Sequence, residues 1–157
     1  MKEFMEPSLR MTHRVFTFSH RVSYAECTVG NHVYYARFLD LLEKTRGEFF
    51  RDLGLPLTVL QDRDVIFPAT ECHLKYAGPA RYDDRLAIEI WLNALRRVRL
   101  EFAFRVIHEN GNLILEGSTE HACTTTADKL IRIPDDLAQR LRPYLNASRQ
   151  EHELHGS

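Results

Sequence analysis

The chain has 157 residues, enough for one domain, and at that length about 70% of the unfolded surface is buried without a metal or disulfide staple. With 44% hydrophobic and 27% charged residues, 7 Gly and 6 Pro, it is neither collagenous nor a solenoid nor wholly disordered. Twenty-one Lys and Arg against 22 Asp and Glu leave a net charge of −1, without the basic excess of a nucleic-acid binder.

Cys27, Cys72 and Cys123 form no CxxC and match no zinc spacing, which predicts a reducing, cytoplasmic setting and no metal or other cofactor. No apolar run approaches the ~20 residues that span a membrane, and Met1–Pro7 lacks the apolar core of a signal peptide.

Residues 1–12 read as a lead-in, 13–145 as the domain and 146–157 as a flexible polar tail. Alternating Phe16, Phe18, Val22 and Tyr24 predict a strand, broken at Glu26 to Asn31 by Gly30-Asn31. From about Val33 the period changes. Tyr35, Phe38, Leu39, Leu42, Phe49, Phe50 and Leu53 mark one stripe of a helix of about 20 residues, stopped by Gly54 and Pro56. Arg46 interrupts that apolar stripe. Strands follow at Val65–Tyr76, Leu86–Asn93, Val98–Glu109 and Leu113–Thr126, with Asn110-Gly111 as a hairpin turn. A turn at Asp128-Lys129, a short apolar run at Leu130–Ile133 and a helix at Leu137–Tyr144 complete the order. One long helix against a run of meandering strands is an α+β design, with an antiparallel sheet of about five strands wrapped around the helix. Such a sheet has open edges, which a second subunit usually covers.

Three segments resemble the hotdog-fold acyl-CoA thioesterases of the 4-hydroxybenzoyl-CoA thioesterase type. They are Val22-Ser23-Tyr24-Ala25-Glu26-Cys27-Thr28-Val29-Gly30-Asn31-His32-Val33-Tyr34-Tyr35-Ala36-Arg37-Phe38, Tyr76-Ala77-Gly78-Pro79-Ala80-Arg81-Tyr82-Asp83-Asp84, and Arg132-Ile133-Pro134-Asp135-Asp136-Leu137. The resemblance implies hydrolysis of an acyl thioester of coenzyme A or a carrier protein, in a homodimer or homotetramer. It implies an oxyanion held at the start of the central helix, with the Tyr35 N–H as principal donor. It also implies a loop carboxylate, usually Asp, as base or nucleophile, and here the sequence departs: the position holds Thr28, whose hydroxyl is not ionised near neutrality. A subgroup acting on polyketide chains is similar in having a neutral polar residue at the Thr28 position and an Arg at the Arg46 position, and is thought to use water without a carboxylate base.

The candidate catalytic residues are therefore Thr28, Tyr35 and Arg46, with Glu26 and Glu43 as the nearby carboxylates able to replace the base. Against each stands a structural reading: Thr28 as a cap, Glu26 as a solvated loop acid, and Glu43 paired with Arg46 or Lys44. Asn31, His32, Tyr34 and Arg81 are candidate substrate-binding residues, Arg81 for the phosphates of coenzyme A. Arg96, Arg97 and Arg99 are a further candidate for phosphates. Cys27 is read as a small semi-buried thiol rather than a nucleophile. Two alternatives stay open: a non-catalytic acyl-thioester-binding module, and a hotdog dehydratase or hydratase, whose acid-paired His could only be His32.

Overall fold

A computed structural model describes residues 12–150. Strand β1 (Phe16–Arg21) leads through a single 3-10 turn, Tyr24–Glu26, into a small hairpin of β2 (Cys27–Thr28) and β3 (His32–Val33). Helix α1 (Arg37–Asp52) and the short α2 (Leu57–Asp62) follow. Then come β4 (Ala69–Tyr76), β5 (Arg85–Leu95), β6 (Arg99–His108) and β7 (Leu113–Ala122), and finally α3 (Asp135–Leu141) with a closing 3-10 turn, Arg142–Tyr144.

The large sheet is antiparallel and five-stranded, in the order β1-β5-β6-β7-β4. Its concave face holds α1. Phe38, Leu41, Leu42, Thr45, Phe49 and Phe50 are the buried residues of the helix, at the three- and four-residue spacing of one face. Phe49 sits at the centre, with ring centroids 5.5 Å from Phe16, 6.4 Å from Phe102 and 4.7 Å from Tyr144. Gly54, at φ 77°, ends α1: its N–H donates to Arg51 and the Leu55 N–H to Phe50, satisfying carbonyls that the last turn leaves open.

Several boundaries differ from those the pattern predicts. The helix is 16 residues long and starts at Arg37, not near Val33, because Val33 is held in the small hairpin opposite Cys27 and donates its N–H to Ala80. Tyr35 and Leu39, predicted on the buried stripe, are exposed, and Leu41 and Thr45 are buried instead. The strand expected from Val65 begins at Ala69, after Pro68, which has no N–H for a ladder. Helix α2 was not anticipated; its six residues are too short for a period to show, although Leu60 is fully buried. Leu130–Ile133 makes only a single bridge, Leu130 to Thr124. The predicted last helix closes early, at Leu141, and tightens into the 3-10 turn. The tail does not begin free at Asn146: its N–H donates to Leu92 at 2.8 Å and the Gln150 amide spans both backbone groups of Leu95. Just before them Leu145 makes one parallel bridge to Leu92, beyond the end of the β1–β5 pairing. The lead-in 1–11 and the tail 151–157 lie outside the described residues.

Strand β4 is one edge of the sheet, opposite β1. Every residue from Ala69 to Tyr76 is exposed except the half-buried Leu74. Beside it stand the exposed Tyr34, Tyr35, Leu39 and Tyr76, an apolar margin running from the start of α1 onto the strand. Among the described residues no helix is long and apolar enough to cross a membrane.

Candidate active site

The loop before α1 is held by its own acid. Glu26 accepts from the Ser23 N–H at 3.2 Å and lies 2.8 and 2.9 Å from His20 Nε2, with the carboxylate side chain 18% exposed. This closes the 3-10 turn as a capping box. The reading of Glu26 as a solvated loop acid is thus corrected: its oxygens are committed to the loop and to β1. The expectation that only His32 could have an acidic partner is corrected as well. His32 is exposed, and the histidines set against acids are His20 with Glu26, His73 with Glu71 and His108 with Asp84, of which His20 holds the loop before α1.

Thr28 and His32 face each other in the hairpin, whose tip Val29-Gly30-Asn31 turns with Gly30 at φ 89° and Asn31 at φ 58°. The Thr28 hydroxyl reaches the His32 carbonyl at 3.3 Å and the Val29 carbonyl at 3.5 Å. Its single proton is therefore directed inward, and its lone pairs are what it can offer a water. Asn31 does not face the substrate side freely, because its Oδ1 accepts from the Tyr82 N–H at 3.1 Å and ties the hairpin to the 77–84 turn. Tyr24, Cys27, Thr28, Val29, Gly30 and Asn31 line an open cavity of about 570 Å³. Cys27 is half-buried and its thiol points to the Ser23 carbonyl at 3.7 Å, in keeping with a structural thiol.

The start of α1 presents an open donor. The Tyr34 N–H donates to Glu26 and the Arg37 N–H to Tyr34, at 2.9 and 2.8 Å. Between them the Tyr35 N–H has no acceptor among the described residues, and Tyr35 is 63% exposed. Tyr76 fixes this segment: its hydroxyl donates to the Tyr35 carbonyl at 2.8 Å, and its ring meets Tyr35 and Phe38 edge-on. Tyr34 packs on Tyr35 at 4.9 Å, and the hydrogen bond its phenol donates to Tyr35 raises it from the usual tyrosine value. Tyr76 was visible in the sequence as part of the second segment, but nothing local assigned it to Tyr35, 41 residues away.

Arg46 and Glu43 lie elsewhere on α1, about three and two turns further along. Arg46, 11% exposed, donates through Nη2 to Glu43 Oε1 at 2.6 Å and through Nη1 to the Phe67 carbonyl at 3.0 Å. Nη1 also lies 2.9 Å from His121 Nδ1. The expected Glu43–Arg46 pair is present, and the sequence offered no sign of His121, on β7. Thr28 thus lies in the hairpin that precedes α1 and Tyr35 between that hairpin and the helix, while Arg46 with Glu43 forms a separate cluster along α1. Arg81 stands in a cleft of about 540 Å³ with Pro79 and His108, and its guanidinium has no acidic partner among the described residues. Arg99 is taken by Glu120. Among the described residues no group of three or more His, Cys, Asp or Glu could hold a metal ion.

The profile of the thioesterase-like superfamily matches residues 22–141. The acyl-CoA thioester hydrolase YbgC of Escherichia coli O6:H1 is 27% identical over 113 residues, 72% of this chain and 84% of that protein. A 1,4-dihydroxy-2-naphthoyl-CoA hydrolase of Thermosynechococcus vestitus is 24% identical over 123 residues, 77% of this chain and 84% of that protein. Among solved structures, the protein TT1821 of Thermus thermophilus superposes with a TM-score of 0.76 at 31% identity, covering 82% of this chain and 98% of that one.

Proposed function

Since this chain belongs to the thioesterase-like superfamily and has its hotdog fold, we propose that it hydrolyses acyl thioesters at a site that two copies of the chain complete together. The observation that carries the reading is the unengaged Tyr35 N–H at the start of α1, beside the Thr28 hairpin.

The chemistry follows from those groups. A thioester carbonyl set against the Tyr35 N–H receives a hydrogen bond that strengthens as negative charge develops on oxygen. Water, oriented by the lone pairs of Thr28, attacks the carbonyl carbon. The C–S bond then breaks, the sulfur leaves as a thiol, and the acyl group leaves as a carboxylic acid. No free carboxylate stands ready as base, because Glu26 is held by His20 and Ser23, and Glu43, which would arrive with Arg46, is paired with that guanidinium. Turnover should accordingly be slower than with a carboxylate by ~10²–10⁴-fold. Coenzyme A or a carrier-protein pantetheine brings the acyl group, with Arg81 as the group for the phosphates. The three free cysteines suit a reducing, cytoplasmic setting.

Strand β4 offers the surface for the second copy. A two-fold axis that pairs this strand with its copy, antiparallel, sets the Tyr76 end of one beside the Ala69 end of the other. Ala69 is in register with His121, and His121 holds Arg46. The thioester at Tyr35 in one subunit thereby meets the partner subunit's Arg46, and the exposed Tyr34, Leu39 and Tyr76 are covered.

Thiol release from acyl-CoA substrates tests the activity; release no faster than the uncatalysed rate from every coenzyme A and carrier-protein thioester would exclude it. Tyr35→Pro, which deletes the N–H, should lower kcat by ~10²–10³-fold while Tyr35→Ala should not. Mixing Tyr35→Pro with Arg46→Ala separates shared from self-contained sites. In a shared arrangement each mixed dimer has one intact site and activity returns; in a self-contained one both sites stay defective. A folded monomer at micromolar concentration in sedimentation would refute the pairing.

A further inference from the structure

The residues of β4 are sorted between the two sides of the sheet. Tyr76, Leu74 and Cys72 stand opposite Leu115, Gly117 and Thr119 of β7, on the side that holds α1. Lys75, His73 and Glu71 stand opposite Glu116, Ser118 and Glu120, on the outer side, and all three are exposed. Regular pairing ends at Glu71, because a bulge between Ala69 and Glu71 shifts the register with β7. The backbone is sorted as well. The Ala77 N–H donates to the Ile114 carbonyl, so by alternation Lys75, His73 and Glu71 turn their peptide groups to β7. Those of Tyr76, Leu74 and Cys72 face outward from the sheet edge.

This sorting restricts how the strand can meet its copy. Residues directly opposite in an antiparallel pair lie on the same side of the sheet, so a two-fold axis falls at a residue, never between two. At Cys72 the axis would pair Glu71 with the partner's His73 but leave Lys75 opposite Ala69, beyond the bulge. At Leu74 it would set Lys75 opposite the partner's His73, two cationic side chains when the histidine is protonated, and Glu71 opposite Ala77, past the end of the strand. At His73 it sets Glu71 opposite the partner's Lys75, twice by symmetry. Cys72 and Leu74, whose peptide groups face outward, then exchange hydrogen bonds with the partner's Leu74 and Cys72. His73 meets its own copy, each imidazole 3.2 Å from Glu71 of its own strand. Glu71 gains most from this register. Glu120 is directly opposite it on β7, an unfavourable like-charge position, and the partner's Lys75 supplies a cation on its open side.

Resting on the reading that two copies join along β4, we propose that the second copy docks in this one register, with His73 on the two-fold axis and Glu71 of each strand paired with Lys75 of the other. The register reaches the candidate site through Tyr76. Lys75 adjoins Tyr76, whose hydroxyl holds the Tyr35 carbonyl at 2.8 Å. The ion pair across the axis therefore steadies the strand end that fixes the open Tyr35 N–H.

Disulfide trapping locates the axis without recourse to activity. Three proteins are oxidised: the parent with Cys72, Cys72→Ser with His73→Cys, and Cys72→Ser with Leu74→Cys. A residue opposite its own copy has its Cα about 4.5–5.5 Å away, within disulfide reach, whereas residues one place off the axis are more than about 7 Å from their copies. Only the His73→Cys protein should form a covalent dimer. A link through Cys72 or through Leu74→Cys overturns the register and leaves the pairing along β4 standing. A parent that sediments as a dimer with no link at any position overturns β4 as the interface, and a monomeric parent overturns the shared site with it. Charge reversal tests the ion pairs. Glu71→Lys and Lys75→Glu each make both pairs like-charged and should raise the dimer dissociation constant about tenfold, with thiol release falling in step. An equimolar mixture of the two variants has opposite charges at both pairs and should recover dimer and turnover. A mixture no better than either variant alone refutes the pairing of Glu71 with Lys75.

Discussion

Acidification between pH 6.5 and 4 is expected to weaken the fold through His121. In the unfolded chain this histidine titrates near 6.5, and in the folded protein at about 4. Above pH 6.5 the ring is neutral in both states and pH has no leverage through it. Below 6.5 the unfolded chain takes up a proton that the folded ring, buried against Arg46, refuses. Stability therefore falls as pH falls, by ~1.4 kcal/mol per unit at most, and levels off below about 4. The accumulated loss is ~3 kcal/mol, a large share of the ~5–15 kcal/mol that holds an ordinary domain together. Asp64 and Asp136, lowered respectively by hydrogen bonds from Thr126 and by Arg63, act below 3.8, outside this window. The assay is denaturant unfolding at fixed protein concentration and ionic strength, at half-unit steps of pH, for the parent and for His121→Asn. The parent should lose ~3 kcal/mol more than the variant across the window. Parallel curves for the two proteins would show that the ring is not held neutral, and the reasoning from burial and the Arg46 contact would be wrong.

Five further outcomes are expected. Thr28→Ala should lower kcat about tenfold, ~1.4 kcal/mol, and Thr28→Asp should raise turnover by supplying a base, both read by thiol release. Glu26→Ala leaves the Ser23 N–H and His20 without their acceptor; ~1–3 kcal/mol of loop stability should be lost, seen as faster amide exchange over residues 23–34 with the sheet unaffected. Gly117→Ala puts a Cβ onto the His73 carbonyl where β7 and β4 approach closely, and should destabilise the protein by ~1–3 kcal/mol and weaken dimerisation, measured by denaturation and sedimentation. Phe49→Ala empties the fully buried centre of the core and should cost ~3–5 kcal/mol in chemical denaturation.

The α+β architecture was legible because it rests on local period. Phe38, Leu42, Phe49 and Phe50 repeat as a helix face wherever the chain is placed, and alternation along Leu86–Asn93 marks a strand with one buried side. The three segments resembling the thioesterases also located Thr28, Tyr35 and the absence of the usual Asp without coordinates. Tertiary structure decided which of these groups is available. Tyr35 lies off the helix because Val33 is drawn into a hairpin and bonded to Ala80, so its N–H is left open. Glu26 is paired with a histidine on β1. Arg46 is locked by a residue 75 positions away, through sheet register that no local pattern encodes. Periodicity reports which face of an element is apolar. The partner of a polar group on that face depends on which strands become neighbours, and that is set only when the whole sheet closes over the helix.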